Sequence, residues 1–164
     1  MDLFLAAAIV ATFLCSLVAG FLFAFAVVAM PGIRNLNDAE FIRAFQVMDR
    51  VIQNNQPIFL IVWVGSAVVL LVALVLGFGQ LEGVDRLLLV ASSIVYILGV
   101  QLPTVAINVP LNNRLQMLDV VNLDEAERRT ARNDFEPRWN TWNVVRAVLS
   151  SLAVALLIIL LVRL

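Results

Sequence analysis

Long apolar stretches dominate the chain, and four of them are long enough to cross a membrane. They cover residues 3–30, 57–78, 86–107 and 144–162. A helix needs about 20 mostly apolar residues to cross a hydrocarbon core about 30 Å thick, and each stretch approaches or exceeds this length. The pattern therefore predicts an all-α protein, an antiparallel four-helix transmembrane bundle that forms one integral membrane domain over residues 1–164.

The polar segments between these stretches alternate in length. Residues 31–56 and 108–143 are long, whereas residues 79–85 form a tight turn. In the first long segment, Asn37 precedes Glu40 by three residues, which is the spacing of a helix capping box. Apolar side chains then recur at helical steps, namely Phe41, Phe45, Met48 and Ile52. This spacing predicts a short amphipathic helix that lies at the membrane interface or caps the bundle.

Prolines set the other predicted helix boundaries. Pro31 and Gly32 end the first apolar stretch. A second short amphipathic helix is predicted from Asp124 to the residue before Pro137, because the position before a proline disfavours helix. The fourth membrane helix is then predicted to begin at Pro137, which is a favourable residue in a first turn.

The arginines predict the orientation of the chain in the membrane. The two long segments carry eight of them: Arg34, Arg43, Arg50, Arg114, Arg128, Arg129, Arg132 and Arg138. The opposite side carries only Arg86 and Arg163. Because basic residues are enriched in cytoplasmic loops, both long segments are predicted to be cytoplasmic and both termini to lie outside. The expected location is a bacterial cytoplasmic membrane, with membrane lipids as immediate partners.

The composition agrees with a membrane protein and excludes several classes of function. Hydrophobic residues make up 62% of the chain and charged residues 14%, whereas soluble domains contain about 45–50% and about 25%. All eleven basic residues are arginine and the formal net charge is −1, so there is no basic stripe to bind nucleic acid. The chain has no histidine, the commonest metal ligand, and no acidic pair within an apolar stretch. We therefore predict no metal site.

Polar side chains follow one face of the third helix, provided that this helix continues beyond its apolar stretch. They are Gln101, Thr104, Asn108 and Asn112, at steps of 3, 4 and 4 residues. Pro103 is predicted to kink the helix. Pro110 is predicted to end its regular part, which leaves Asn112 and Asn113 on a turn. Such amides either hydrogen-bond across helices or contact a ligand, and both interpretations stay open.

A second polar face begins the fourth helix. It consists of Trp139, Trp142, Asn143 and Arg146, at steps of 3, 1 and 3 residues. Tryptophans at a membrane end are often interface anchors. Arg146 lies just inside the apolar stretch, where an arginine must snorkel, form an ion pair or face a polar cavity. Asp49, Asp134 and Glu136 lie on the same side of the membrane, so that an ion pair and a substrate contact explain Arg146 equally well.

Asp49 is the acidic residue with the clearest prospect of a chemical role. It borders the apolar stripe of the first loop helix, and there it could serve as a general base. A salt bridge with Arg50 or Arg146 would explain the same position equally well.

Three segments near the ends of the apolar stretches resemble a known family. They are Met30-Pro31-Gly32, Asn108-Val-Pro-Leu-Asn112-Asn113 and Trp139-Asn-Thr-Trp142-Asn143-Val-Val-Arg146. In order, spacing and loop length they are similar to the small four-helix membrane family that includes the anthrone oxygenases, from about Gly20 to the C-terminus. The resemblance implies an oxygenase that acts on a polycyclic aromatic carbon acid and uses no cofactor, neither metal nor flavin.

The resemblance also implies roles for individual residues. The implied substrate contacts are Gln101, Asn108, Asn112, Asn113, Trp139, Trp142 and Asn143. Arg146 would stabilise an oxyanion with Asn108 and Asn143. The two tryptophans would stack on the rings, and Asp49 would take the proton. One departure is Val144, which stands where related proteins often carry a histidine after the Trp-Asn motif.

Two other functions compete with the oxygenase hypothesis. The same pocket could bind a lipid, a quinone or another amphiphile without catalysis, or the polar face could meet another membrane protein as part of a structural subunit. A hydrophobic aromatic or amphiphilic small molecule is the expected partner in the first two cases. Gly65, Gly77 and Gly79 permit close helix packing, so that a homo-oligomer also stays open.

Overall fold

A computed structural model describes residues 3–164, and helices account for most of them. The helices are α1 (Leu3–Ile33), α2 (Asp38–Gln53), α3 (Pro57–Phe78), α4 (Gly83–Gln116) and α5 (Glu125–Arg163). The described residues contain no strand. All of these helices except α2 are long and apolar enough to cross a membrane. The predicted all-α fold with four membrane-length helices is confirmed.

The four long helices enclose a narrow apolar core. α1 packs against α3 and α5, and α4 packs against α5. Small residues on α1, among them Ala8, Ala11 and Cys15, are fully buried and let the neighbouring helices approach closely. Large apolar side chains cover the outside as well, for example Phe13 and Val75. A bundle that is apolar on both its inner and outer surfaces requires lipid around it.

α2 is the predicted amphipathic helix of the first long segment. Its capping box is present: Asn37 Oδ1 accepts from the backbone N–H of Glu40 at 2.9 Å, and Glu40 Oε2 accepts from the N–H of Asn37 at 3.4 Å. The buried face comprises Phe41, Ile42, Phe45, Gln46 and Asp49. Met48 and Ile52, which were predicted to share this face, are only half-buried. The buried face of α2 is therefore rotated about the helix axis relative to the predicted stripe, and it includes Asp49.

α5 is one continuous helix of 39 residues, and the predicted boundary at Pro137 is wrong. The helix begins after a capping box formed by Asp124 and Glu127. Proline cannot donate a hydrogen bond to the carbonyl four residues earlier, which is that of Asn133. Asn133 is exposed, so water can bind its carbonyl and the helix continues. The second predicted amphipathic helix is therefore the first part of α5.

The predicted ends at Pro31 and Pro110 are also wrong. α1 continues through Pro31 to Ile33, and α4 continues through Pro110 to Gln116. A π-helical turn lies just before each proline: Phe25–Ala29 in α1 and Thr104–Asn108 in α4. The wider turn shifts the backbone hydrogen bonds by one residue, and it accommodates a residue that has no N–H to donate. Asn112 and Asn113 are consequently helical and do not lie on a turn.

The region around Pro103 is irregular, as predicted, but the irregularity takes a specific form. Pro103 lies between two π-helical turns, Ile97–Gln101 and Thr104–Asn108. These turns set the direction in which Thr104 and Asn108 face, and both side chains are buried. The polar face of α4 is therefore turned into the bundle.

Candidate functional site

A cavity of about 280 Å³ lies beneath α2, between the ends of the four long helices. Its lining residues are Phe21, Leu22, Phe25, Phe45, Asp49, Ile52, Phe59, Leu60, Trp63, Thr104, Val105, Asn108, Val109, Asn112, Trp139, Asn143 and Arg146. All five helices contribute to this set. The cavity therefore brings together side chains that are far apart in sequence.

Arg146 lies in the wall of this cavity and is only 4% exposed. Its Nη1 donates to Thr104 Oγ1 at 2.9 Å, and its Nη2 donates to Asn143 Oδ1 at 3.2 Å. Its Nε has no hydrogen-bond partner. No ion pair to this guanidinium occurs among the described residues, so none of its suggested partners neutralises it. The charge is held by neutral oxygens alone.

Asp49 is the acidic residue that lines the cavity, and it is 5% exposed. Its carboxylate accepts hydrogen bonds from three side-chain amides: Gln53 at 2.6 Å, Asn112 at 2.8 Å and Gln116 at 3.0 Å. In the described part of the chain it forms no salt bridge with Arg50 or Arg146. The cavity thus contains one buried carboxylate and one buried guanidinium that do not pair.

Four of the predicted substrate contacts line the cavity through α4 and α5: Asn108, Asn112, Trp139 and Asn143. Asn112 Oδ1 accepts from Trp139 Nε1 at 2.7 Å, so both ends of the Asn112 amide are occupied within the protein. Asn143 Nδ2 donates to the carbonyl of Leu22 at 3.1 Å. Asn108 Nδ2 donates to the carbonyl of Trp139 at 3.4 Å, whereas its Oδ1 is buried without a partner. Asn108 therefore has a buried acceptor that no group of the described chain satisfies.

Three of the predicted substrate contacts lie outside the cavity lining. Gln101 is one helical turn from Thr104, and its buried Nε2 has no hydrogen-bond partner. Asn113 is exposed and accepts from Gln53 Nε2 at 3.2 Å. Trp142 is half-buried, although its neighbours Trp139 and Asn143 both line the cavity. The structure does not bring these three residues to the cavity.

Sequence reasoning missed the two glutamines that hold Asp49 and the aromatic residues of the wall other than Trp139. Gln53 follows Asp49 by four residues, and Gln116 follows Asn112 by four residues. The helical spacing of Gln116 was a usable signal, but the helix was wrongly predicted to end at Pro110. The aromatic residues carried no such signal, because phenylalanine is equally common on lipid-facing surfaces.

Aromatic rings form most of the apolar wall. The ring centroids of Phe45 and Trp139 are 5.3 Å apart, and those of Phe25 and Trp139 are 5.8 Å apart. The guanidinium carbon of Arg146 lies 6.0 Å from the Trp139 ring centroid, within the range of a cation–π contact. The described residues include no cluster of three or more histidine, cysteine, aspartate or glutamate side chains that could hold a metal ion. The cavity therefore combines a wall rich in aromatic side chains with one buried guanidinium.

Comparison with known proteins gave one match. A family model described as Anthrone oxygenase matches residues 45–156, which is more than half of the chain. The matched range includes the cavity residues on the second half of α2 and on α3, α4 and α5. Searches of the curated proteins and of the solved structures found no match.

Proposed function

The chain belongs to the anthrone oxygenase family, and from this premise we propose that it oxygenates an aromatic carbon acid inside the cavity without a cofactor. One observation carries the proposal: Arg146 is buried, has no anionic partner among the described residues and lines the same cavity as the carboxylate of Asp49. A buried charge is costly unless something compensates for it. A negatively charged reaction intermediate would supply that compensation.

Arg146 is the group that stabilises the developing oxyanion. Its Nε is buried without a hydrogen-bond partner, and its guanidinium carbon lies 6.0 Å from the Trp139 ring centroid. Donors that are fixed in place and shielded from water stabilise a developing negative charge far better than water does, because they need no reorganisation. Thr104 and Asn143 hold the guanidinium in position through its two terminal nitrogens.

Asp49 is the base that accepts the proton. Three side-chain amides hydrogen-bond to its carboxylate, so the position of the carboxylate does not depend on a bound substrate. Val144, where related proteins often carry a histidine, is 48% exposed on the outer surface and does not line the cavity. A base at position 144 would face away from the substrate, whereas Asp49 lines the same cavity as Arg146.

The proposed reaction balances without a metal or a flavin. Asp49 removes a proton from the acidic CH₂ group of the substrate, and the charge moves to the carbonyl oxygen beside Arg146. The enolate passes one electron to dioxygen, and the resulting radical and superoxide combine to a peroxide. The peroxide anion takes the proton back from Asp49, and the hydroperoxide then loses water with its remaining C–H hydrogen to leave a second carbonyl. One CH₂ group and one O₂ thus give one C=O group and one H₂O, and Asp49 is again a carboxylate. The protein supplies the base, the counter-charge and a site shielded from water.

The membrane supplies the substrate in this proposal. Residues of all four long helices form the cavity, and α2 covers it. By the distribution of arginines, this end of the bundle is the cytoplasmic end. A polycyclic aromatic substrate partitions into lipid, and it reaches such a site at a far higher local concentration than it has in water.

The test is turnover of anthrone by the full chain in lipid nanodiscs. We expect dioxygen uptake and formation of anthraquinone above the rate in empty nanodiscs, with label from ¹⁸O₂ in the new carbonyl. Asp49→Asn is expected to lower kcat by about 10²-fold or more, which is the usual contribution of a general base. Arg138→Gln serves as a control, because Arg138 is exposed and does not line the cavity.

One result would contradict the proposal, and a binding measurement would then show what the cavity does instead. Dioxygen uptake that is equal in the native chain, the Asp49→Asn variant and empty nanodiscs would exclude catalysis. If anthrone nevertheless displaced a bound fluorescent probe under those conditions, the cavity would be a binding site without oxygenase activity.

A further inference from the structure

A second concave surface lies on the outside of the bundle, between α1, α2 and α3. This groove has a volume of about 590 Å³. Its lining residues are Leu17, Val18, Phe21, Phe25, Met48, Val51, Ile52, Gln56, Ile58, Phe59, Val62 and Trp63. The one amide among them, Gln56, accepts from the backbone N–H of Phe59 as the cap of α3. The groove therefore offers almost no free polar group.

The groove and the cavity lie on opposite sides of one wall of side chains. They share the side chains of Phe21, Phe25, Ile52, Phe59 and Trp63. The rings of Phe59 and Trp63 stack with centroids 5.4 Å apart, and Phe21 packs edge-on against Phe59 at 5.3 Å. A single layer of side chains thus separates the outer surface from the cavity that contains Arg146.

The groove is on the surface that faces lipid. Ile58 is 68% exposed and Leu17 is 43% exposed, and both belong to helices that are long and apolar enough to cross a membrane. A hydrocarbon chain would lie in such a groove without exposing any apolar surface to water. Lipid chains would occupy it equally well, since they are as apolar as the side chains around them. If the groove selects one ligand, the selectivity must therefore come from a polar group of that ligand that binds outside the groove.

We propose that the ligand of the cavity is a tailed amphiphile, with an oxygen-bearing aromatic head against Arg146 and an apolar chain that leaves past Phe59 and Trp63 into the groove. This inference rests on the proposed function, because it takes the cavity as the site of the head group. The volumes agree with this division: the cavity of about 280 Å³ has room for a fused aromatic head, and the adjoining groove is about 590 Å³. The charge in the cavity and the lack of polar groups in the groove match the two ends of such a molecule.

Photolabelling of the full chain in nanodiscs tests the position of the tail. The probe is a 1-naphthol that carries a dodecyl chain with a diazirine at its tip, and the competitor is 2-methyl-1-naphthol, which has no tail. We expect the label on groove residues such as Met48, Ile58 and Val62. The tailless competitor should remove it, because the two molecules compete for the head-group site.

Two variants decide whether the head group directs the tail. Arg146→Met should lower labelling of the groove about tenfold, as expected for the loss of a hydrogen bond to a charged donor. Val62→Trp narrows the groove and should lower this labelling as well, whereas Val68→Trp, at an exposed position of the same helix outside the groove, should not.

The outcomes separate this inference from the function on which it rests. Labelling of the groove that is equal in the native chain and in Arg146→Met would show that the groove only contacts bulk lipid, and the inference would be wrong. If both naphthols displaced anthrone from the cavity but no groove residue were labelled, only the assignment of the tail to the groove would be wrong. If neither naphthol displaced anthrone, the head-group site and the proposed function would fail together.

Discussion

Asn112 and Asp49 are linked across the cavity by a hydrogen bond of 2.8 Å, although 63 residues separate them in sequence. The same amide accepts from Trp139 at 2.7 Å, so one side chain joins α2, α4 and α5. Asn112 was predicted to bind substrate. Because both ends of its amide are occupied, its role in the structure is to hold the proposed base in position.

The first prediction concerns this link. Asn112→Ala removes a donor to a buried carboxylate and an acceptor for a tryptophan N–H, and we expect a loss of stability of about 1–3 kcal/mol. Turnover should fall as well, since Asp49 loses one of its three amides. Thermal unfolding in detergent, followed by tryptophan fluorescence, measures the first effect. Asn113→Ala is the matched control: its side chain is exposed, so we expect a change within about 0.5 kcal/mol.

The second prediction separates stability from function at Arg146. Arg146→Met replaces a buried charge with an apolar side chain of similar length, so the cost of burying the guanidinium disappears. We expect the unfolding temperature to stay the same or rise, while kcat for anthrone falls by about 10²-fold or more because the oxyanion loses its counter-charge. Arg138→Met should change neither quantity. A large loss of stability in Arg146→Met with retained turnover would show that the arginine is structural.

Helical spacing was sufficient to predict much of this site. Asn108 and Asn112 share a face at a step of four residues, and so do Trp139, Asn143 and Arg146 within α5. A polar face of a helix in lipid must turn inward, so these residues meet in one cavity. Spacing alone could not decide whether Arg146 pairs with Asp49, because two residues at the same end of a bundle can be in contact or apart.

The helix boundaries at prolines could not be predicted from the sequence. The patterns around Pro137 and Pro110 each favour a break, yet both helices continue. At Pro137 the carbonyl that loses its donor belongs to the exposed residue Asn133, and at Pro110 a π-helical turn accommodates the missing N–H. Both compensations depend on tertiary surroundings. The phenylalanines of the cavity wall could not be predicted for a similar reason, since the sequence does not show which phenylalanines face lipid.

The third prediction tests the close approach of α4 and α5. A Cβ atom at Gly99 would lie 2.6 Å from Cδ1 and 3.3 Å from Cβ of Leu149. Gly99→Ala therefore requires the Leu149 side chain to move, and we expect a loss of stability of about 1–3 kcal/mol. Adding Leu149→Ala should restore part of it. Gly65→Ala is the control, because its nearest neighbour would lie at an ordinary 3.5 Å. Equal unfolding temperatures for Gly99→Ala and Gly65→Ala would contradict the packing of Gly99 against Leu149.

The last prediction concerns Arg132, which fastens α2 to α5. Its guanidinium donates to Asp38 Oδ1 at 3.1 Å and to Glu136 Oε2 at 2.7 Å, and it lies 4.3 Å from the ring centroid of Phe41. It also donates to two backbone carbonyls between α1 and α2. The side chain is only 14% exposed, so its ion pairs with Asp38 and Glu136 are partly shielded from water and are stronger than an exposed ion pair.

Arg132→Ala should therefore cost about 2–4 kcal/mol, between the values for an exposed and for a fully buried pair. It should also lower turnover, because α2 carries Asp49 over the cavity and loses its attachment near the N-terminal end. Arg129→Ala is the matched control on the same helix: its pair with Glu125 is 4.0 Å long and largely exposed, and we expect less than about 0.5 kcal/mol. Unfolding temperature and dioxygen uptake, measured on both variants, test the two consequences. If Arg132→Ala lost stability but kept full turnover, the position of Asp49 would not depend on this attachment.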